Sequence, residues 1–280
     1  MKSSSKRKRI VHISTVHSHL DPRVRRKYLG SLSRMGMDAV FVTADPLAAE
    51  NGDGVTIHRV TDTKRGRLWR IVLHAPKAVG KALLTPAAAY HFHDPELLLW
   101  AWLLLLRRVP VVYDVHEDYS LAMRKKFYLP RWTRRAVGSA VALVERILSL
   151  PYRHVIAEHA YARRFPRAIA ILNYPQRSML EHGPSLNTHT AHLLYTGYVT
   201  VERGALNLAG MVREIPDIKV TVAGRCFPDV ARRMREEAGE GVSRLSIIGE
   251  GRYVPFKEIT SLYAQREWTA GVVLIPDIPH

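Results

Sequence analysis

Short apolar runs alternate with amphipathic segments along most of the 280-residue chain. The runs are rich in valine and isoleucine and have the length of buried strands, and the segments between them repeat apolar positions at helical spacing. This alternation is typical of an α/β protein with parallel sheets. The pattern predicts strands at 10–14, 39–43, 55–60, 89–93, 109–115, 155–157 and 169–172, then at 193–196, 219–223, 245–248 and 271–275.

Two predicted helices in the first part of the chain begin with the same Asp-Pro signal. Asp21 and Asp94 each precede a proline, so each offers an N-cap oxygen followed by a residue with helical φ. After Asp21, four apolar residues lie on one helix face before Gly36, which can end the helix. Because each signal follows a predicted strand, we expect both loops to open on the same edge of the sheet.

A polar, turn-rich segment, EHGPSLNTHT at 181–190, coincides with a change in charge. Residues 1–190 hold 31 lysines and arginines against 14 acidic residues, whereas residues 191–280 hold 11 of each. We therefore predict two domains, 1–186 and 187–280, with the net charge of +17 in the first. The electrostatic field of a domain with this positive charge favours a polyanion, an anionic membrane surface or phosphorylated substrates as partners.

The cysteine content and the lengths of the apolar runs limit the cellular compartments in which the protein is expected. Cys226 is the single cysteine, so no internal disulfide framework is expected, which suits a reducing cytoplasm. The basic segment KSSSKRKR is followed by too few apolar residues for a signal peptide. The longest apolar run, 97–106, is too short to span a bilayer and predicts a buried or interfacial helix. We therefore expect a cytoplasmic protein.

Ionisable residues follow two predicted strands, in HFHD at 91–94 and DVHED at 114–118. His91 and His93 are two positions apart in a strand, so both imidazoles face one side. With His116 they offer ligands for Zn²⁺ or for the two-metal site of a hydrolase. Strand-end histidines are also common as hydrogen-bonded structural or substrate-binding groups, and the spacing leaves both interpretations open. Metal analysis of the purified protein separates them.

Two predicted strands in the second part end on glycine, at Gly197 and Gly224. A glycine turn between a strand and a helix leaves amide N–H groups that, with the helix dipole, form an anion pocket. Arg203 and Arg225 lie nearby in sequence and would bind phosphate oxygens. Glycine at such a turn is also ordinary turn chemistry. The occurrence of two such turns in one small domain favours the phosphate site.

A basic nucleic-acid-binding protein is the non-enzymatic alternative. The basic runs at 23–27 and 124–126 do not interleave with aromatic residues in a known module, so we expect no nucleic-acid partner. A steep salt dependence of DNA binding would be needed to support that class. The chain also has no P-loop, nucleophile elbow or Cys/His zinc spacing.

The succession of these motifs resembles the family-4 type of retaining glycosyltransferase with GT-B fold. The resemblance is carried, in the family's order, by HSHLDPRVRRKYLGSLSRMGMD, HFHDPELLL, VVYDVHEDY, ILNYP, YTGYVTVERGALNL, VTVAGR and GRYVPFKEITSLYAQ leading into AGVVLIPD. It implies a GT-B-like α/β fold of two Rossmann-like doubly wound domains. It further implies transfer of a sugar from a nucleoside diphosphate sugar to a glycan or lipid-linked acceptor with retention, as in bacterial polysaccharide assembly, without a metal or another cofactor.

The resemblance also implies roles for particular residues. His116 would lie beside the reacting sugar as the catalytic residue. The donor would be bound by Gly197, Arg203, Gly224, Arg225, Tyr253 and Val254, and the acceptor by His17, Arg23, His93, Asp94 and Glu117.

The chain departs from the family pattern in three places. Thr15 to His19 stand where the family often has a glycine pair, and Tyr198 stands where it has an arginine, for which Arg225 is expected to compensate. The acidic motif that binds the donor sugar and ribose would follow Asp277, three residues before the end of the sequence. The second domain is therefore expected to be incomplete, in a fragment or a natural short form, and inactivity is one expected consequence.

The excess positive charge of the first domain predicts peripheral attachment to an anionic membrane. Basic segments with interspersed apolar residues, such as 121–132, would lie at the lipid surface without spanning it. The alternative is that this charge only keeps the domain soluble.

Overall fold

The computed structural model describes residues 7–48, 51–52, 54–63, 66–124, 130–174, 191–265 and 267–273. The chain forms two compact units, Met1–Tyr174 and Pro175–His280. The predicted boundary between residues 186 and 187 lies outside the described residues.

The first unit contains one eight-stranded sheet in the order β3-β4-β2-β1-β5-β6-β7-β8. Neighbouring strands are parallel except β3 and β4. The strand order reverses on either side of β1, so the carboxyl ends of β1 and β5 flank the crevice where doubly wound sheets bind ligands. The strands are β1 Arg9–Ser14, β2 Asp38–Thr43, β3 Asn51–Gly52, β4 Val55–Arg59, β5 Ala89–Phe92, β6 Val111–Val115, β7 Arg153–Ile156 and β8 Ile169–Ala170.

The central strands are buried on both faces because helices cover both sides of the sheet. Tyr90, Phe92 and Tyr113 are the largest fully buried side chains of one core cluster, and Phe41 is the largest of the other. The helices of the unit are α1 Gly30–Arg34, α2 Arg67–Trp69, α3 Ala75–Leu83, α4 Tyr119–Arg124 and α5 Arg131–Ser149, with π-helical stretches at Pro22–Leu29 and Arg70–His74 and 3₁₀ helices at Pro95–Leu97, Trp100–Arg107 and His159–Arg163.

The predicted start of the first helix is confirmed. The carboxylate of Asp21 accepts hydrogen bonds from the amides of Arg23 and Val24, each at 2.9 Å. This cap orients the turn that carries Arg23. Gly36, with φ of +76°, follows the end of α1 as expected.

The second unit contains a four-stranded parallel sheet in the order β11-β10-β9-β12. Leu208, Val212, Val220, Val222 and Met234 are fully buried at its core. The predicted strand at 271–275 is shorter in the structure, where it covers only Ala270–Gly271. Residues 272–273 are not in a strand, and residues 274–275 lie outside the described part. The elements are β9 Ala191–Thr196, α6 Ala205–Glu214, β10 Ile218–Cys226, α7 Pro228–Ala238, β11 Leu245–Glu250, α8 Phe256–Ala264 and β12 Ala270–Gly271, with 3₁₀ helices at Val201–Arg203 and Gly239–Arg244.

The predicted apolar helix at 97–106 is present as the 3₁₀ helix Trp100–Arg107 and the turn before it. Leu97 and Leu104 are fully buried, which confirms that one face packs on the core. No helix among the described residues combines the length and apolarity needed to cross a bilayer.

Candidate functional site

The carboxyl ends of β1, β5 and β6 converge on a buried row of histidines. His12 on β1 pairs in register with His91 on β5, and the rings of His91 and His93 stack with centroids 4.7 Å apart. His12 Nδ1 lies 2.9 Å from His93 Nε2, and His93 Nδ1 lies 3.1 Å from His116 Nε2. The imidazoles therefore form a row of close contacts from the sheet interior to His116, whose side chain is one-tenth exposed.

The carboxylate of Asp114 is the centre of this row and is fully buried. Its Oδ2 lies 2.9 Å from His116 Nε2 and 3.3 Å from His93 Nδ1, while its Oδ1 accepts a hydrogen bond from Arg23 Nη2 at 3.0 Å. Burial raises the pKa of Asp114, but the hydrogen bonds to His116 and His93 outweigh burial and hold the pKa well below its usual value. Since a carboxylate only accepts hydrogen bonds, His116 Nε2 carries the proton in this contact and Nδ1 remains for a ligand.

The guanidinium of Arg23 is occupied by protein groups. Besides Asp114, Arg23 donates to the carbonyl of Ile171 and to the hydroxyl of Tyr28, each at 2.9 Å, and only 5% of the residue is exposed. Arg23 is thus the counter-ion of a buried carboxylate. Its predicted contact with the acceptor stays a prediction.

Asp94 does not cap the helix that follows it, contrary to the prediction. Its side chain makes no cap hydrogen bond. Instead Oδ2 accepts hydrogen bonds from the Thr15 amide at 2.5 Å and the Ser14 hydroxyl at 2.9 Å. The reason is that the loop after β1 presents buried donors that need an acceptor. The contact between Asp94 and Thr15 also confirms that the loops after β1 and β5 open on the same edge of the sheet.

His17 lies on that loop beside His116, with ring centroids 4.6 Å apart. Its Nδ1 is 3.2 Å from Asp21 Oδ2 and its Nε2 is 3.6 Å from Asp94 Oδ1. Burial lowers the pKa of His17, but the hydrogen bond to Asp21 and the negative charge of Asp94 outweigh burial and raise the pKa. A positive charge on His17 is therefore favoured next to His116.

A cavity of about 240 Å³ opens beside these side chains. Four residues predicted for the site line it: His17, Asp94, His116 and Glu117. Two arginines that the sequence analysis missed also line it. Arg70 forms a two-point ion pair with Glu96, with both contacts at 3.0 Å, and Arg67 lies 3.5 Å from the same carboxylate. Their only sequence signal is the basic segment KRGRLWR, which does not follow a strand directly.

A metal ion could be held by His91, His93 and Asp114, whose nearest donor atoms lie within 4.8 Å of one another. His91 Nε2 is buried, lies 3.7 Å from Asp114 Oδ2, and has no hydrogen-bond partner among the described residues. A metal bound here would share Asp114 with the guanidinium of Arg23.

The glycines of the second unit bring three strands into close contact. Gly224 has φ of +155°, and a Cβ atom there would lie 1.7 Å from the carbonyl oxygen of Gly197. Gly249, which the sequence analysis missed, approaches Gly224 in the same way. The strand does not end at Gly224 as predicted, because β10 continues through a register shift to Cys226 and α7 begins at Pro228. Glycine here permits close backbone approach inside the sheet.

The cations predicted for the donor lie at this sheet edge. Arg203 is exposed in the turn before Gly204, where α6 begins, and Arg225 is exposed on β10 with its guanidinium 5.1 Å from the Phe227 ring centroid. Within the described parts of the chain, neither arginine forms an ion pair. Tyr253 is 65% exposed, whereas Val254 is buried and would contribute its backbone to a ligand.

Acidification is expected to destabilise the protein through its buried imidazoles. Burial lowers the pKa of His91 from 6.5 to about 4, and burial also lowers the pKa of His12 and His93. When the pKa of a group is lower in the folded protein than in the unfolded chain, the group contributes its full stabilisation of the fold above the pKa of the unfolded chain. This contribution is lost as the pH falls towards the pKa in the folded protein. Between pH 7 and pH 5 the loss is about 2 kcal/mol for His91 alone, with an opposite contribution from His17.

Urea denaturation at both pH values measures this loss. His91→Gln, which takes up no proton, is expected to lose less stability on acidification than the wild-type protein. The exposed His159 provides the matched control, and His159→Gln should follow the wild type. An equal loss in His91→Gln and wild type would contradict the assignment.

The fold has known counterparts, although no protein-family model and no curated protein matches the sequence. Sucrose-phosphate synthase from Thermosynechococcus elongatus is 18% identical, with a TM-score of 0.63, over 92% of this chain and 73% of that chain. HepE from Anabaena is 12% identical, with a TM-score of 0.61, over 92% and 72%. Trehalose-6-phosphate synthase, OtsA, is 11% identical, with a TM-score of 0.62, over 95% and 78%. The protein has the α/β fold of GT-B glycosyltransferases, with a largely parallel, Rossmann-like sheet in the first unit and a parallel one in the second.

Proposed function

We propose that the protein is a retaining glycosyltransferase that moves a sugar from a nucleoside diphosphate sugar to a glycan or lipid-linked acceptor. The observation that carries the proposal is the pair of exposed arginines Arg203 and Arg225 in a GT-B fold. They follow in sequence the two closely packed glycines, Gly197 directly after β9 and Gly224 on β10. Among the similar structures, HepE was solved with UDP and glucose, and a trehalose-6-phosphate structure from E. coli was solved bound with UDP-2-fluoro glucose. These ligands support a uridine diphosphate sugar as donor.

The donor diphosphate binds at the carboxyl ends of β9 and β10 in this proposal. Arg203 and Arg225 supply charged hydrogen bonds to its phosphate oxygens. The ten-residue helix α6 begins beside Arg203 and adds its positive dipole end. Tyr253 and Val254 would contact the base.

His116 is the proposed catalytic residue on the first unit. Asp114 holds its Nε2 at 2.9 Å, which fixes the ring and leaves Nδ1 for the substrate. His17 and Glu117 line the same cavity and are proposed to contact the acceptor. Transfer with retention needs no pair of carboxylates of the kind that glycosidases use.

The proposed transferase uses no metal, because cationic side chains and a helix N-terminus stabilise the departing diphosphate. The existing ion pair between Asp114 and Arg23 supports this proposal, since it already compensates the carboxylate within the histidine row. We further propose that the protein acts in the cytoplasm, at the inner face of a membrane that contains the lipid-linked acceptor.

Substitution of the two donor-side arginines is expected to weaken nucleotide binding. Each lost charged hydrogen bond costs about 1.5 to 3 kcal/mol, so Arg203→Ala and Arg225→Ala should each raise the dissociation constant for UDP by roughly tenfold to a hundredfold. Calorimetric titration with UDP, and with GDP to compare the base, measures the effect.

Arg213 provides a matched control, because it is an exposed arginine near the opposite end of α6 from Arg203. Arg213→Ala should bind UDP as the wild type does. Unchanged affinity in both Arg203→Ala and Arg225→Ala would remove the basis for a donor site in the second unit.

A further inference from the structure

Helix α5 exposes a line of apolar side chains along its whole length. Positions 132, 136, 140, 143, 147 and 150 recur at helical spacing and hold only tryptophan, alanine, leucine and isoleucine. Trp132 is 85% exposed, and Leu143, Ile147 and Leu150 are each more than half exposed. The opposite face is buried at Gly138, and the line extends over about 27 Å. An amphipathic helix usually turns its apolar face inward, so this orientation requires a partner.

A second helix extends the same surface. Leu99, Leu103 and Leu106 are exposed on and beside the 3₁₀ helix Trp100–Arg107. The indole of Trp102 donates a hydrogen bond to the carbonyl of Leu148 on α5 at 2.9 Å, which holds the two helices together at that point. We call these residues the apolar patch: Leu99, Trp102, Leu103, Leu106, Trp132, Leu143, Val144, Ile147 and Leu150.

The exposed charges on the two segments that carry the apolar patch are of one sign. Residues 99–108 and 131–153 contain seven arginines and one acidic residue, Glu145. Glu145 is only 3% exposed and is bound to Arg164 and to the hydroxyl of Tyr113, so it does not contribute to the outer face. Among the arginines whose exposure the structure describes, Arg107, Arg108, Arg135, Arg146 and Arg153 are exposed.

We infer that the apolar patch docks the protein on an anionic lipid surface, with α5 lying in the plane of the headgroups. Exposed tryptophan and leucine beside arginine are the composition of helices that bind at bilayer interfaces. A second copy of the chain would bring the same arginines against one another, which disfavours a dimer. A nucleic acid would satisfy the arginines but would leave the leucines in water. An anionic bilayer satisfies both.

This docking surface differs from the segment that the sequence predicted for membrane attachment, 121–132, part of which lies outside the described residues. It overlaps that segment only at Trp132. The inference does not require glycosyltransferase activity, because it rests on exposed side chains remote in sequence from the donor arginines.

Vesicle flotation of the full 280-residue protein tests the inference. The protein is expected to bind vesicles of phosphatidylcholine and phosphatidylglycerol and not to bind vesicles of phosphatidylcholine alone. The bound fraction should fall as the salt concentration is raised. The double variant Leu143→Glu, Ile147→Glu should reduce the bound fraction at least tenfold, an order-of-magnitude expectation for acidic residues in the buried face. Met35→Glu, a change at an exposed apolar residue next to α1, should bind as the wild type does.

A second variant tests the charge separately. Arg146→Gln with Arg153→Gln should weaken binding and flatten its dependence on salt. Wild-type levels of binding in both double variants would overturn the inference, as would a wild-type protein that ignores anionic vesicles. A lipid-free dimer that dissociates in the Leu143→Glu, Ile147→Glu variant would assign the patch to a second copy and would also overturn it. UDP titration of the same variants distinguishes this failure from failure of the proposed function, since nucleotide affinity should be unchanged.

Discussion

Asp114→Asn is expected to lower the free energy of unfolding by about 3 to 5 kcal/mol, because it removes one partner of a buried ion pair. Asparagine keeps the volume of the side chain and an accepting oxygen, so the cost comes from the lost charge. The guanidinium of Arg23, 3.0 Å from Asp114 Oδ1 and only 5% exposed, would be left without its counter-ion. Urea denaturation at neutral pH measures the change.

Asp38 supplies the control for this experiment. Its carboxylate lies 2.6 Å from Arg9, but the two side chains are 32% and 41% exposed. Water already solvates this pair, so Asp38→Asn should change stability by less than about 1 kcal/mol. Similar small losses in both variants would show that the ion pair of Asp114 does not stabilise the fold.

The same buried pair shows why the contacts of Arg23 could not be predicted from its local sequence. In the sequence Arg23 belongs to a basic run that reads as a solvated surface. The cap at Asp21 fixes the turn after β1, and this turn directs Arg23 towards a carboxylate 91 positions later. Local patterns predict the cap, whereas the pairing depends on contacts between distant strands.

The strands were predictable because parallel strands buried on both faces are near-continuous apolar runs. Each predicted strand in the described part has a counterpart, with ends shifted by a few residues. The convergence of side chains at the carboxyl ends of β1 and β5 also followed from the alternation of strands and helices. In open α/β sheets, ligands bind beyond the carboxyl ends of the strands at the point where the strand order reverses. That rule indicated this edge of the sheet as the candidate site.

Two features of the site were not predictable from local sequence. His12 joins the histidine row because β1 and β5 pair in the register that sets it opposite His91. Asp94 follows a strand and precedes proline, so its local pattern predicts a helix cap, yet its carboxylate binds the amide of Thr15. Both depend on the relative position of segments about 80 residues apart, which no local pattern contains.

Substitution of His116 is expected to have the largest effect on activity. His116→Ala should reduce kcat by roughly two orders of magnitude or more in an active form of the enzyme, if its ring acts on the reacting groups. Little change in Tm is expected, because Asp114 keeps Arg23 and His93 as partners after the ring is removed. Release of UDP from the sugar donor at saturating concentration measures kcat, and thermal unfolding measures Tm.

His159→Ala is the matched control, since His159 follows β7 and is exposed. It should retain both wild-type turnover and Tm. Loss of turnover together with a large fall in Tm in His116→Ala would indicate a structural histidine, and full turnover would show that the reaction does not use it. A loss in kcat with an unchanged Tm is the expected result. It would indicate that the ring contacts the substrate through Nδ1 and that its contact with Asp114 through Nε2 orients the ring without being needed for the fold.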